Sequence, residues 1–275
     1  MRFGMCNELY EGWEFADVCR SLKSIGYEGI EIAPFTLANN IIDISTAKRA
    51  ELKRIIADEG LQTIGLHWLL AKTEGFYLTS PDRATRTRTA DYLKALAEAT
   101  QDLGGELMVL GSPKQRDLLP GVSYADAVGY AIEVFEAIAL TLEATEVDLC
   151  LEPLAPSETN FLNTCDQANA LLARLNHPRF QLHMDVKAQS GEVGTTVPAL
   201  IALHAQGARH FHAQDTNLKG PGMGSVDFGP IMKSLVLVDY DHWVSVEVFD
   251  YSPGAIATAT ESLACLKREL SAALA

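Results

Sequence analysis

The sequence predicts a single-domain α/β protein, a (β/α)₈ barrel. Three observations predict it: a length of 275 residues, about eight alternations of short apolar runs with longer amphipathic stretches, and no linker or low-complexity segment to divide the chain. Hydrophobic residues make up 48 % of the chain, enough for one large core. An open doubly wound sheet would also alternate in this way, but no G-x-G-x-x-G motif follows the first strand, which disfavours a dinucleotide fold.

In chain order, strands are expected at 2–7, 28–33, 61–67, 106–110, 147–152, 179–185, 208–213 and 243–248. Helices are expected between them at 13–25, 45–59, 81–103, 123–145, 164–175, 196–206, 228–238 and 255–273. The segments GYEGIEI (26–32) and YDHWVSVEVF (240–249) each follow a helix and turn before an alternating strand, as a barrel unit should. The long irregular pieces 71–80, 111–121, 155–163 and 216–226 all follow strands. In a barrel they converge on the carboxyl-terminal face, where substrates bind.

The formal charge of −14 and pI near 4.9 argue against nucleic acid or an anionic membrane as partner, since both are polyanions. No apolar run approaches the roughly 18 residues of a membrane span, and the first strand begins too early to leave room for a signal segment. Cys6, Cys19, Cys150, Cys165 and Cys265 are odd in number and widely spread, with no C-x-x-C pair. A reducing cytoplasm is therefore expected, with neither a disulfide framework nor a zinc knuckle.

Residues two apart on a strand share a face. In VDLCLEP, Val147, Leu149 and Leu151 suit the helix-facing side, which turns Glu152 toward the barrel axis. By the same alternation Asp185, His212 and Glu247 face inward from the ends of the sixth, seventh and eighth strands. Each alone also fits a structural role, such as a loop hydrogen bond. Together they form a converging charge cluster that is costly to desolvate unless a cation neutralises it. Three carboxylates and one imidazole favour a single divalent ion, Mn²⁺ first, with Mg²⁺, Co²⁺ or Zn²⁺ as alternatives.

Alternation also turns His67 and Glu31 inward as expected pocket-lining residues. His183 and His210 stand one layer below Asp185 and His212, where they would orient the ligands. Trp13 is expected near the mouth, and Trp68 and Trp243 in the helix-facing layer.

From MRFGMCNEL and IGYEGIEI through LCLEPL and LHMDV to FHAQD and VSVEVF, the chain resembles the xylose-isomerase-like TIM-barrel superfamily. The likeness is strongest to its ketose 3-epimerase and hydroxypyruvate-isomerase branch. That resemblance implies that Glu152, Asp185, His212 and Glu247 hold the metal and that Glu152 and Glu247 double as the two acid/base groups. It also implies that Glu158 binds substrate hydroxyls and that the protein assembles as a homo-oligomer. Two positions depart from the pattern: Ala188 stands where a substrate-binding His is expected, and Leu218 where an Arg is expected. Lys187 or Lys219 could supply replacement contacts to substrate oxygens.

The expected function is thus a metal-dependent isomerase or epimerase of a keto sugar. Proton removal next to a carbonyl would pass through an enediolate. The first rival is a lyase of the same superfamily, dehydrating a keto-inositol or eliminating from a 3-keto-glycoside. A binding module that keeps the barrel without catalysis is disfavoured by the intact acid/base ligands. A DNA-repair endonuclease of the AP type would need a multi-zinc cluster and a basic cleft, which the acidic charge and only seven histidines oppose.

Overall fold

The computed structural model describes all residues 1–275. Eight parallel strands close into a barrel in sequence order: β1 (Arg2–Cys6), β2 (Gly29–Ile32), β3 (Gln62–His67), β4 (Leu107–Leu110), β5 (Asp148–Leu151), β6 (Phe180–Asp185), β7 (Ala208–Ala213) and β8 (Trp243–Val246). Pairing of β8 with β1, Phe3 opposite Val244, closes the ring. The enclosing helices are α1 (Phe15–Ile25), α2 (Thr46–Asp58), α3 (Arg83–Leu103), α4 (Tyr124–Thr145), α5 (Cys165–Leu175), α6 (Val186–Gln189), α7 (Val197–His204), α8 (Phe228–Leu237) and α9 (Ala255–Leu274).

Helix starts follow the expected side-chain chemistry. Ser45, Asp82, Ser123, Thr164, Thr196 and Asp227 each accept a first-turn backbone N–H, and Ser123 with Asp126 forms a reciprocal capping box. The short α6 is the one helix the periodicity did not predict. It is four residues long and begins because the Asp185 side chain accepts from the Ala188 N–H at 2.6 Å. Local capping, with no apolar repeat behind it, is enough for a single turn.

Apolar packing divides into two layers. The larger, of 66 buried residues, fills the space between strands and helices and includes Val147, Leu149 and Leu151, so one continuous core serves the chain. The smaller set, Ile64, Leu107, Val109, Cys150 and Trp243, plugs the lower barrel interior. Trp243 therefore corrects the helix-facing expectation. It shares strand parity with Ser245 and Glu247 and faces inward, with the Arg2 guanidinium 4.0 Å from its ring centroid. Close packing here also demands Gly65, since a Cβ at that position would lie 1.8 Å from the Leu107 carbonyl oxygen.

Trp68 is a second correction. Its backbone is left-handed, with φ of 52°, so strand alternation ends at His67. The indole instead stands at the barrel mouth, 5.4 Å from the Phe35 ring and 5.0 Å from the Phe249 ring between centroids. No helix is long and apolar enough to cross a membrane.

Candidate active site

Glu152 and Glu247 lie one residue past the ends of β5 and β8, Asp185 closes β6, and His212 lies within β7. One donor atom from each lies within 4.8 Å of the others. All four residues are buried, Glu247 being the most exposed at 6 %. Gly111 makes room for the group: a Cβ there would sit 1.7 Å from Glu152 Oε2.

The neighbours fix which donor atoms are free. His212 Nε2 lies 3.1 and 3.2 Å from the two Glu31 oxygens. A carboxylate there assigns the ring proton to Nε2 and leaves the Nδ1 lone pair for the cluster. Nδ1 faces Glu247 Oε2 at 3.4 Å without a hydrogen bond. Asp185 is divided in the same way. Its Oδ1 accepts from Ala188, while its buried Oδ2 has no partner. Buried polar atoms are nearly always bonded, so two orphans aimed into one carboxylate cluster fit a cation.

Electrostatics agree. Burial raises Glu152 well above the usual carboxylate range, with Glu247 and Asp185 adding to the rise. Asp185 is pushed up to about 7 by burial and then by Glu247. Burial would also raise Glu247, but the adjacent His212 outweighs it and holds that carboxyl low. Burial alone would discharge His212, yet Glu31 and Glu247 hold it well above the ordinary imidazole value. Like charges packed out of water must take up protons or a cation.

The remaining predicted residues separate into those that reach the cavity and those beneath it. A cavity of about 600 Å³ is lined by Trp68, Glu152, Glu158, Asp185, Lys187 and Glu247, among others. Lys187 pairs with Glu158 inside it. Lys219 is not among the lining residues; it turns outward, with Nζ 3.7 Å from Asp250 Oδ2. Glu31 was expected to line the pocket but is fully buried below it. It reaches across the barrel to His210 Nε2 at 2.7 Å and to His212, so its partners hold it away from any substrate. His183 packs its ring 4.2 Å from that of His212, and burial, then His212, holds it neutral. His67 lies on the floor, 2.9 Å from Glu8 Oε2 and 3.8 Å from Glu247 Oε1.

Ala188 is buried within α6, and Leu218, at φ of 70°, borders the cavity. Sequence reasoning missed Arg116 and Glu8. Arg116 is buried, and its Nη1 donates to the Glu152 carbonyl oxygen at 2.8 Å; within an irregular loop it carried no signal. Glu8 carried none either, because strand alternation ends at Cys6 and Glu8 lies in a short 3₁₀ turn, Asn7–Leu9.

A closed (β/α)₈ barrel whose carboxyl-terminal mouth gathers carboxylates and an imidazole under a cavity defines a class of barrel enzyme. Comparison with known proteins makes the assignment particular. The model of the family described as xylose isomerase-like TIM barrel matches residues 19–269. The chain is 26 % identical over 258 residues to a ketose 3-epimerase of Arthrobacter globiformis, covering 92 % of this chain and 85 % of that one. It is 26 % identical over 267 residues to a D-psicose 3-epimerase of Agrobacterium fabrum, covering 90 % and 86 %. Among solved structures, an L-ribulose 3-epimerase superposes with a TM-score of 0.84 at 21 % identity, covering 99 % of this chain and 95 % of that one. A 3-keto-D-glucoside 4-epimerase from E. coli gives 0.82 at 19 %, covering 98 % of this chain and 99 % of that one. The chain belongs to the xylose isomerase-like TIM barrel family, and it is an enzyme of the isomerase and epimerase class.

Proposed function

We propose that the protein is a divalent-metal-dependent epimerase or isomerase of a keto sugar, with Glu152 and Glu247 moving the proton. One observation carries this reading: donor atoms of Glu152, Asp185, His212 and Glu247 converge within 4.8 Å at the floor of a cavity large enough for a sugar. The ketose 3-epimerase and D-psicose 3-epimerase names of the relatives support the substrate class.

Those four residues would hold a divalent ion, Mn²⁺ first among the candidates, which would supply Lewis-acid polarisation of the substrate carbonyl. The chain's own groups do the rest. Glu152 and Glu247 stand on β5 and β8, with β6 and β7 between them, and so approach a bound substrate from different sides. Proton removal by one and return by the other inverts the carbon. Return on the same face, or to the adjacent carbon, isomerises instead. His183 and His210 lie beneath the ligands, with His210 tied to Glu31 and so to His212. Glu158 and Lys187 hold substrate hydroxyls, while Trp68 and Phe249 wall off water. Lys219 has no such role.

The test is proton exchange in deuterated water with Mn²⁺, screened over ketoses, keto-inositols and 3-keto-glycosides. Glu152→Gln and Glu247→Gln should each lose exchange at the substrate carbon while keeping the fold. Full exchange in either removes that residue as an essential acid/base group.

A lyase is the second reading, and a specific observation favours it. A neighbouring cavity of about 700 Å³, lined by Trp13, Phe35, Trp68, Lys72 and Tyr251, shares Trp68 with the first and has room for a glycoside's second group. Release of an alcohol or water from a 3-keto-glycoside or keto-inositol in that screen would select it. We further propose a reducing cytoplasm, supported by five buried free thiols, and, on the family resemblance alone, a homo-oligomer.

A further inference from the structure

We infer that Glu8 and His67, with Glu247 shared and the Cys6 thiol alongside, form a second divalent-cation site next to the first. The inference rests on the proposed metal site through Glu247, which would bridge the two ions.

Geometry comes first. Donor atoms of Cys6, Glu8, His67 and Glu247 also lie within 4.8 Å of one another, and all four residues are buried. His67 Nε2 is 2.9 Å from Glu8 Oε2 and 3.8 Å from Glu247 Oε1. Donors about 2.0–2.3 Å from a common ion are separated from one another by roughly this much. Cys6 and His67 close β1 and β3, Glu247 lies one residue past β8, and Glu8 sits in the 3₁₀ turn Asn7–Leu9 that follows β1, so the barrel rim holds them in place.

Unmet bonding comes second. Glu8 is 4 % exposed and His67 is 0 % exposed, yet apart from their mutual 2.9 Å contact neither side chain has a hydrogen-bond partner. Glu8 Oε1 and His67 Nδ1 stay unmet on two touching buried side chains, which is far from the ordinary state of a protein interior. A plain His67–Glu8 ion pair would use one atom of each and leave the others unmet.

Charge comes third. Glu8, Glu31, Glu152, Asp185 and Glu247 are buried carboxylates around the barrel mouth, and the buried Arg116 guanidinium stands beside Glu152. Lys187 is engaged by a sixth carboxylate, Glu158. One cation among so many converging carboxylates leaves Glu8 without a positive partner beyond His67, and a second cation seated between them would supply it.

The donor set names the ion. Imidazole, two carboxylates and a thiol suit a borderline cation such as Zn²⁺ better than Mg²⁺. The 700 Å³ cavity reaches Glu8 and gives an entry path.

The test uses the full chain, stripped with chelator and reloaded with excess Zn²⁺, with bound metal counted after gel filtration and positions read from anomalous scattering in crystals. The expected result is two ions per chain in the native protein, and one in Glu8→Gln and in His67→Asn. Native protein with one ion, seated among Glu152, Asp185, His212 and Glu247, overturns the second site and leaves the first standing. A second ion that persists in both variants also overturns it. No ion in the barrel at all would remove both sites. If either variant fails to fold, the anomalous map of the native protein decides alone.

Discussion

The lower and upper halves of the barrel interior are built on opposite plans. Below, Ile64, Leu107, Val109, Cys150 and Trp243 interlock as an apolar plug. Charges near it are matched: Asp148 receives Arg179 at 3.2 Å and Arg209 at 2.9 Å, and Arg209 also meets Glu106 at 2.9 Å. Above, carboxylates outnumber cations, and several buried polar atoms have no partner. The same eight strands carry both plans, which shows where the fold stores stability and where it spends some of it to keep a reactive site.

The sharpest way to break that comparison is to remove an upper carboxylate. Glu247→Gln should lower turnover by about 10²–10⁴-fold, the scale of a lost general acid or base, as read from solvent-deuterium exchange. Glu152→Gln should do the same and yet raise the melting temperature of the metal-free protein, because it removes a repelled buried charge. A fall in that melting temperature would contradict the idea of stored repulsion.

A lower-half change should behave in the reverse sense. Trp243→Ala should cost about 3–5 kcal/mol in denaturant unfolding, from lost burial and the cavity left behind. Metal affinity per folded molecule should be retained.

Metal uptake should depend on pH through Asp185. Its carboxyl loses its proton only near 7 in the folded chain, against 3.8 ordinarily, so the metal-free fold loses this stabilisation as pH rises between those values. Metal binding needs the ionised form. Affinity should therefore climb as pH rises through 7, with proton release on binding, and Glu152 and His212, also held well above their ordinary values, extend that rise beyond the Asp185 titration. Calorimetry in two buffers of different protonation enthalpy measures this directly.

Smaller effects should mark the edges of each half. Lys187→Met should raise KM by about tenfold with little change in kcat, since it removes binding common to substrate and transition state. Arg209→Met should cost on the order of 1 kcal/mol of stability, discounted because the pair is partly solvated, and leave exchange untouched.

Much of this was legible from strand alternation. Element order follows from eight apolar runs, and parity alone turns Glu152, Asp185, His212 and Glu247 inward, where their donor atoms meet. Trp243 obeyed the same parity, but its size and apolar character made a helix-facing place look natural. Trp68 lay beyond reach because a left-handed residue ends the alternation. Arg116 sits in an irregular loop, where no period exists to read. Glu31 shows a different limit. Its inward face was evident, but its partners stand on β7 across the ring, and no sequence spacing encodes which opposite strand a long side chain will reach.

The double duty of Asp185 reaches furthest. One oxygen starts α6 by accepting a main-chain N–H at position 188, while the other points into the cluster. Because that anchor uses backbone, any residue except proline can supply it. Side chains along this turn can therefore be exchanged, and substrate preference retuned, without disturbing the carboxylate that begins it.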